Sequence, residues 1–259
     1  SEMCIRDSFD ISHADGFNLF YFAFDLTQLE DISQWHDDDT INGGAGGDYI
    51  EGNGGSDTIH GNDGGDQIRG DDDTLDLDQH KDDTLYGDAG IDTIWGNGGD
   101  DSIHGGSESD WLYGGEHDDN ISGGTGNDLI YGDANDEDNE HQGADTLIGN
   151  SGDDFIYGEG GNDTLIGGVG NDTLNGGKGN DSYLFSAGDG VDTLTDSDGQ
   201  SSLVFQGVNL HDLSLINSDS LHIVYGDGDV VSIDSGSAAA IEHIEIAGSQ
   251  YTVCLLYRN

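Results

Sequence analysis

Aspartate residues in this chain recur at a spacing that suits metal binding. Over long stretches an aspartate stands at every ninth position, with an apolar residue two places after it and a glycine-rich turn before most copies. Calcium accepts about six to eight oxygen ligands and mixes carboxylates with main-chain carbonyls, whereas magnesium requires a tighter octahedron. The pattern therefore favours calcium. The series consists of Asp39, Asp48, Asp57, Asp66, Asp83, Asp92, Asp101, Asp110, Asp119, Asp128, Asp145, Asp154, Asp163, Asp172 and Asp181.

Glycines in the same turns would provide carbonyl ligands. Glycine adopts positive φ without a Cβ clash, which turns main-chain carbonyls toward one point. We expect weaker or missing ions where Glu108 or His117 replaces the fourth turn glycine, because these side chains resist positive φ. One aspartate alone would be a solvated turn residue, but a series in constant register indicates ligands. The predicted ligands are the carboxylates of the series from Asp48 to Asp181 and the carbonyl oxygens of Gly43, Gly52, Gly61, Gly87, Gly96, Gly105, Gly123, Gly149, Gly158, Gly167 and Gly176.

The composition requires positively charged ligands. The 259 residues include 55 acidic and 5 basic side chains, a formal charge of −50, and only 32% are hydrophobic. High charge with low hydrophobicity is typical of disordered chains, because burial cannot offset self-repulsion and chain entropy. Multivalent cations such as calcium would complete the fold, whereas nucleic acid and anionic membranes would be repelled. No apolar run suits a transmembrane segment, and no N-terminal signal peptide is recognisable.

Each repeat is predicted to be a turn followed by a short strand, and the absence of proline suits strands that donate every ladder hydrogen bond. Burying one apolar side chain contributes about 1.5–3 kcal/mol, but ordering its repeat costs about 1–2 kcal/mol per residue in backbone entropy. Calcium must therefore stabilise the fold. Two acidic insertions, after Asp71 and after Asp133, lengthen a turn without ending the series. The inward apolar positions are Ile50, Ile59, Ile68, Leu85, Ile94, Ile103, Leu112, Ile121, Ile130, Leu147, Ile156, Leu165 and Leu174.

Two copies, at residues 123–131 and 176–184, read Gly-Gly-x-Gly-x-Asp-x-apolar-x at every position. The series resembles the calcium-binding nonapeptides of the repeats-in-toxin family (RTX, haemolysin-type). The resemblance implies an all-β fold, namely a parallel β-roll (a two-sheet right-handed β-helix) of about fifteen nonapeptide repeats with a C-terminal β-rich cap. It also implies that two nonapeptides form one coil, and that multiple calcium ions lie between turns two repeats apart.

The resemblance further implies two rows of aspartates at opposite edges of the roll. Both insertions fall on the first edge. The first edge would hold Asp57, Asp83, Asp101, Asp119, Asp145, Asp163 and Asp181, and the second Asp48, Asp66, Asp92, Asp110, Asp128, Asp154 and Asp172.

Three regions are predicted. Residues 1–36 would be an N-terminal flank in which the aromatic segment 17–24 caps the first coil and residues 26–35 form a short helix or turn. Residues 37–184 would be the calcium-binding roll. Residues 185–259 would be the β-rich cap, with a degenerate repeat at 188–194 and strands at 202–206, 221–225, 230–233 and 241–246. Residues 3–8 and 253–257 resemble translated sequencing-adapter sequence, so they are assigned no function, and we expect the natural protein to extend further.

The resemblance implies export by the type I secretion machinery, directed from the C-terminal side, and folding on calcium outside the cell. We therefore expect a secreted, extracellular bacterial protein, with cell-surface association as a further option. The chain contains neither a His-Glu-x-x-His helix motif nor a Gly-x-Ser-x-Gly elbow. We expect no enzymatic activity in this segment, although a larger protein could carry an enzyme domain elsewhere. Cys4 and Cys254 lie outside every repeat, so their positions do not indicate a disulfide framework.

Aromatic residues suggest an alternative function. Trp95, Tyr113 and Tyr131 are spaced to stack as a ladder on one sheet, with Tyr157 following, and such a patch usually marks a contact surface. The surface would be covered by another part of the polypeptide, or would bind polysaccharide as an adhesin does. His36, His80 and His141 lack the paired spacing of a zinc site and are expected to be solvated. The other sheet is expected to present an ordinary solvated face, formed by Thr58, His60, Thr84, Tyr86, Ser102, His104, Asn120 and Ser122.

Overall fold

The computed structural model describes residues 9–10, 38–72, 80–133, 142–196, 198–217, 220–234, 241–246 and 248–252. They form two β-sheets whose strands are mostly parallel, which confirms the predicted all-β roll. The first sheet contains β1 (Phe9–Asp10), β2 (Thr40–Ala45), β4 (Thr58–Asp63), β6 (Thr84–Ala89), β8 (Ser102–Ser107), β10 (Asn120–Thr125), β12 (Thr146–Ser151), β14 (Thr164–Val169), β16 (Ser182–Ser186), β18 (Ser201–Gln206), β22 (Ile241–Ile246) and β23 (Ser249–Thr252).

The second sheet lies against the first, and a 3-10 turn spans Leu210–Asp212. Among all the residues that the structure describes, no helix has the length and apolar character needed to cross a membrane. The second sheet contains β3 (Tyr49–Asn53), β5 (Gln67–Asp71), β7 (Thr93–Gly98), β9 (Trp111–Glu116), β11 (Leu129–Asp133), β13 (Phe155–Tyr157), β15 (Thr173–Asn175), β17 (Val191–Thr195), β21 (Asp229–Ile233), β20 (Leu221–Tyr225) and β19 (Ser214–Asn217).

Successive strands of the repeat region belong to opposite sheets, so two nonapeptides complete one coil. Each strand pairs in parallel with the strand one coil later, and Ile103 lies beside Ile121. Side chains alternate between the two faces of a strand, so this register keeps the repeating Ile or Leu of each strand on the inner face. Ile121 also lies beside Leu147 across the second insertion, so the insertions bulge from the roll without shifting the strands.

The core is a thin double column of aliphatic side chains. Every predicted inward position is buried, with 0% exposure from Ile59 to Leu174. At the C-terminal end the column widens into an aromatic cluster in which the rings of Phe185, Phe205 and Tyr225 lie 5.0–6.0 Å apart between centroids. The larger side chains give this end a more substantial hydrophobic core than the repeats have.

Parallel stacking continues beyond residue 184. β17, in the predicted degenerate repeat, pairs with β15, and β18 pairs with β16. The strands predicted at 202–206, 221–225, 230–233 and 241–246 are confirmed as β18, β20, β21 and β22. Antiparallel pairs β19–β20, β20–β21 and β22–β23 then close the sheets. The segments 17–24 and 26–35, for which a cap and a short helix or turn are predicted, lie outside the described residues.

The outer face of the first sheet carries a stack of three rings. The ring of Tyr86 stacks between His60 and His104, with centroid distances of 4.4 and 4.9 Å, and Nδ1 of His60 lies 3.0 Å from Oδ2 of Asp88. None of the residues predicted for this solvated face is buried, and the structure adds the stacking among three of them. The parallel register brings these three residues together because they occupy the same place in consecutive coils.

Candidate calcium-binding sites

Two rows of buried aspartates run along the edges of the roll. In each row the main-chain N–H of one aspartate donates to Oδ1 of the aspartate one coil later, at 2.7–3.0 Å. The sequence separation is 18 residues in regular coils and 26 across an insertion. The rows have the membership implied by the family resemblance, from Asp57 to Asp181 on the first edge and from Asp48 to Asp172 on the second.

The other carboxylate oxygen of these aspartates, Oδ2, is buried without a hydrogen-bond partner in every member of both rows. It points toward the first glycine of its own turn. A methyl group built on Gly96 would lie 2.1 Å from Oδ2 of Asp101 and 2.6 Å from the carbonyl oxygen of Gly114 in the next coil. A carboxylate oxygen and a carbonyl oxygen thus converge without a hydrogen-bond donor between them. Such an arrangement is unfavourable unless a proton or a cation is present.

The donor set fits calcium. In the described ranges, no group of three or more His, Cys, Asp or Glu side chains could hold a metal ion. Each ion would therefore depend on main-chain oxygens in addition to the row aspartates. Calcium accepts such mixed oxygen sets in flexible geometry, whereas transition metals favour imidazole and thiolate ligands.

Nine of the predicted carbonyl oxygens lie close to a row carboxylate, and their binding to calcium stays a prediction. The carbonyl oxygens of Gly61, Gly87, Gly96, Gly105, Gly123, Gly149, Gly158, Gly167 and Gly176 approach the turn of the preceding coil. For Gly43 and Gly52, the preceding coil would fall outside the described residues. The prediction missed three carbonyls with the same geometry, although the nine-residue period passes through them; these belong to Gly70, Gly114 and Gly132.

The reason for glycine at the first turn position differs from the prediction. Positive φ occurs at the second and fourth turn positions, as at Gly124 and Gly126 with φ of 110° and 128°, and not at the predicted carbonyl glycines. At the first position a Cβ would collide with the carboxylate and the neighbouring carbonyl. Glu108 and His117 take φ of 73° and 80° at the fourth position, so those turns keep a left-handed conformation despite lacking glycine. Weaker ion binding there stays a prediction.

Burial raises the pKa of the row aspartates because the charged form loses hydration. The pKa reaches about 9 at Asp101, about 10 at Asp119 and about 9 at Asp163 in the first row, where neighbouring carboxylates raise it further. In the second row it is about 7 at Asp154 and Asp172, for the same reasons. Without a metal, the folded rows would therefore hold protons that an unfolded chain releases near neutral pH.

Two aspartates that the sequence analysis did not select hold the insertions in place. Oδ2 of Asp71 accepts from the main-chain N–H of Lys81, at 3.3 Å. Asp133 accepts from Gly143 at 2.8 Å and from Gly160 at 3.2 Å. Each aspartate binds the end of its insertion to the start, so the remaining turn residues return to their usual places. The sequence signal is the Gly-Asp pair that precedes both insertions.

The rows end in different ways. The N–H of Asp172 donates to Oδ1 of Asp192 at 3.0 Å, so the second row continues into the degenerate repeat. In the first row the N–H of Asp181 donates to the hydroxyl of Ser201, at 3.0 Å. The hydroxyl of Tyr183 lies 2.3 Å from a methyl built on Gly176, where earlier turns have a carbonyl, and it donates to Asp196. At the last turn of the first row, neutral hydroxyl groups therefore replace the aspartate carboxylate and the main-chain carbonyl of earlier turns.

The histidines near the insertions yield one correction. Both ring nitrogens of His80 are buried without a partner, and Nδ1 lies 2.7 Å from a methyl built on Gly98. The expectation that His80 is solvated is therefore wrong. His36 and His141 lie outside the described residues.

The repeats also match a known family. The family model for the RTX calcium-binding nonapeptide repeat (4 copies) matches residues 37–68, 81–112, 113–137, 142–174 and 160–194, which together exceed half of the chain. The chain belongs to the RTX calcium-binding repeat family. Such RTX repeats bind calcium, and the two-sheet roll is the arrangement in which this chain carries them.

This RTX chain is also similar to a solved structure. The crystal structure of extracellular lipase LipA from Serratia marcescens is similar at 17% sequence identity and a TM-score of 0.31, covering 78% of this chain and 38% of that chain. The RTX chain thus spans well under half the length of the lipase. No curated protein matches it.

Substituting the first glycine of a turn in this RTX chain should block its calcium site. In Gly114→Ala the added methyl would lie 2.1 Å from Oδ2 of Asp119 and 2.5 Å from the carbonyl oxygen of Gly132. We expect this variant to need at least tenfold more calcium to fold. Gly46→Ala is the control, because its methyl meets nothing within 4 Å at φ of 108° and so reports backbone strain alone. A calcium midpoint of Gly114→Ala no higher than that of the wild-type chain, measured by circular dichroism, would refute a steric role of Gly114.

Proposed function

We propose that this chain is a calcium-dependent folding module of a larger exported protein. One observation carries the proposal: every aspartate in the two rows has a buried Oδ2 without a hydrogen-bond partner. Such carboxylates are tolerated only when they are neutralised. Calcium would neutralise them and join successive coils at once, because every turn except the last of each row combines a carboxylate with a carbonyl of the next coil.

The charge of the chain explains why folding would depend on calcium. At pH 7 the metal-free chain carries a formal charge of −50, and folding concentrates the row carboxylates along two edges. Self-repulsion and backbone entropy oppose this state, while the aliphatic column provides only a thin core. Ligand binding to the folded state alone shifts the equilibrium toward folding by mass action. The module would stay unfolded at low calcium and fold at millimolar calcium.

This behaviour suits export. A chain that is unfolded inside the cell passes through a secretion channel, and calcium outside then drives folding and stabilises the exported protein. The composition supports this order of events, as does the resemblance of the C-terminal region to the β-rich segment that follows the repeats in type I secreted proteins. We assign no enzymatic activity to the segment. The activity of a longer protein would reside in another domain.

The deciding experiment is a calcium titration of the chelator-treated chain followed by far-ultraviolet circular dichroism. We expect a cooperative change from coil to β-structure at millimolar or lower calcium, and no comparable change with magnesium at the same concentrations. Magnesium is the matched control because it has the same charge but demands a smaller octahedral site. Full β-structure in chelator, or no response to calcium, would refute the proposal.

The structure gives less support to the alternative of a glycan-binding adhesin. The predicted ladder is present: Trp95, Tyr113, Tyr131 and Tyr157 stack with centroid distances of 5.8, 5.3 and 4.8 Å and interplanar angles of 2–11°. Each inner ring is therefore covered on both faces by its neighbours. Sugar rings pack on open aromatic faces, whereas this ladder offers mainly ring edges. Glycan binding consequently remains the second hypothesis.

A further inference from the structure

The hydroxyl of Tyr225 is a buried polar group whose role the repeats do not explain. Tyr225 is 0% exposed, and its ring packs against Phe185 and Phe205 with centroid distances of 6.0 and 5.0 Å. The hydroxyl oxygen is buried without a hydrogen-bond partner. A buried hydroxyl in this state is unfavourable, so its surroundings favour a ligand that the oxygen can contact.

The hydroxyl lies among carboxylates at the C-terminal end of the second edge. Burial raises the pKa of the Tyr225 hydroxyl, and neighbouring carboxylates raise it further, namely those of Asp192, Asp189, Asp229 and Asp172. Asp172 and Asp192 are each 1% exposed, and Asp189 is 8% exposed. Among the described residues, no basic side chain lowers the pKa of Asp189 or Asp192. The cluster therefore combines buried negative charge with an unsatisfied neutral oxygen.

Main-chain groups already occupy part of this cluster. Oδ2 of Asp189 accepts from the N–H of Ser186 at 2.5 Å, and Oδ2 of Asp229 accepts from the N–H of Gly188 at 2.8 Å. Oδ2 of Asp172 has no partner. No three carboxylates of the described residues converge closely enough to hold a metal ion by themselves. An ion at this end would therefore need a neutral oxygen, as in the repeats.

The last turn of the second row lacks the carbonyl that earlier turns have. In the preceding turn of that row, a methyl built on Gly149 would lie 2.6 Å from the carbonyl oxygen of Gly167. A methyl built on Gly167 would lie 2.2 Å from Oδ2 of Asp172, and its nearest neighbours all belong to Asp172. The hydroxyl of Tyr225 provides a neutral oxygen at the end of the row where the carbonyl is missing.

The first row shows how a tyrosine can end a row without an ion. The hydroxyl of Tyr183 accepts from the N–H of Gly176 at 2.8 Å and donates to Oδ2 of Asp196 at 3.0 Å. The protein itself therefore satisfies this hydroxyl both as acceptor and as donor. Tyr225 stands at the end of the other row and has neither contact. The difference indicates that the second row ends on a bound cation.

We propose that the second row ends in a calcium site that is completed from outside the nonapeptide repeats, with Asp172, Asp192 and the hydroxyl of Tyr225 as ligands. Tyr225 lies in the hairpin β20–β21, so the ion joins the roll to the strands that close it. Calcium fits because it accepts carboxylate and neutral oxygens together in flexible geometry. Asp189 and Asp229 add negative charge around the ion. This inference rests on the calcium-dependent folding proposed above, because the folded roll brings these residues together.

Equilibrium dialysis of the full chain against calcium tests the site by counting bound ions. At the free calcium concentration that just saturates the wild type, Tyr225→Phe should bind one ion fewer per chain. This substitution removes only the hydroxyl and keeps the packed ring. Asp192→Asn should lose the same ion, so the double variant should also bind one ion fewer. Tyr251→Phe is the matched control, because it removes a hydroxyl from a ring of β23 that is 41% exposed, and its ion count should equal that of the wild type.

Circular dichroism in calcium establishes that each variant is folded, and Asp192→Asn decides the question if Tyr225→Phe does not fold. A folded variant that binds as many ions as the wild type would overturn the proposal and assign the position to water. A double variant that loses two ions would overturn it too, because the two side chains would then serve different ions. Neither result affects the proposed function, which fails only if the wild-type chain does not fold on calcium.

Discussion

Replacing Asp119 by asparagine should raise the calcium concentration required for folding at least tenfold. Asp119 lies in the middle of the first row; its Oδ1 accepts from the N–H of Asp101 at 2.8 Å, and its Oδ2 is buried without a partner. Asparagine keeps the acceptor Oδ1 but replaces Oδ2 by an amide, which removes both the charge and the ligand oxygen. Loss of even an indirect metal partner typically costs about 10- to 100-fold in affinity, or about 1.4–2.7 kcal/mol.

Asp118→Asn is the matched control for that substitution. Asp118 is the preceding residue, is exposed, and uses Oδ1 to accept from Ala144 at 2.7 Å. The control removes the same charge from the same turn but no buried oxygen of the row. We expect its calcium midpoint, measured by circular dichroism, to stay within about twofold of the wild-type value, since exposed charges contribute little. Similar shifts in both variants would indicate a general charge effect and contradict a ligand role for Asp119.

Acid should partly substitute for calcium. In chelator we expect the chain to be unfolded near pH 8 and to gain β-structure as the pH falls toward 5. Burial raises the pKa of the row carboxylates in the folded state, to about 9 at Asp101 and about 8 at Asp145, from an ordinary value of 3.8. Between pH 3.8 and the raised pKa values, the folded state therefore binds more protons than the unfolded state, so the stability of the fold decreases as the pH rises. The stabilisation is fully present below the unfolded pKa and is lost as the pH rises through the folded values.

Calcium binding should show the opposite dependence on pH. Carboxylates must lose their protons before they bind the ion, so the calcium midpoint should increase as the pH falls and protons should be released on binding. Circular dichroism at a series of pH values, with chelator and with calcium, checks both signs. A metal-free chain whose β-content increases with rising pH would contradict the observed burial of the rows. Asp119→Asn lacks one raised pKa, so its metal-free stability should depend less steeply on pH.

The sequence by itself determined the repeating part of this protein. Each nine-residue repeat has one inward apolar residue, and these residues are all buried when equivalent positions stack. The stacking places Ile103 beside Ile121 in the parallel sheet. Together with the family resemblance, which implies two nonapeptides per coil, the same period predicts the membership of both aspartate rows and the ladder that contains Tyr113 and Tyr131. These features could be predicted because every contact joins identical positions of repeats that lie one coil apart. The composition likewise required a cationic partner, since the charge of −50 has no counterpart in the chain.

Only the tertiary structure decided how the carboxylates are used and how the rows end. It shows that Oδ1 accepts from a main-chain N–H of the preceding coil while Oδ2 has no hydrogen-bond partner, and that the first turn glycine is required for space. Asp133 holds its insertion, and Tyr183 and Ser201 complete the last turn of the first row, through contacts between non-equivalent positions. No local period encodes such contacts, because they depend on which side chains from outside the repeat reach the edge of the roll. The repeat therefore determines the roll, and the residues that interrupt it determine its edges and its ends.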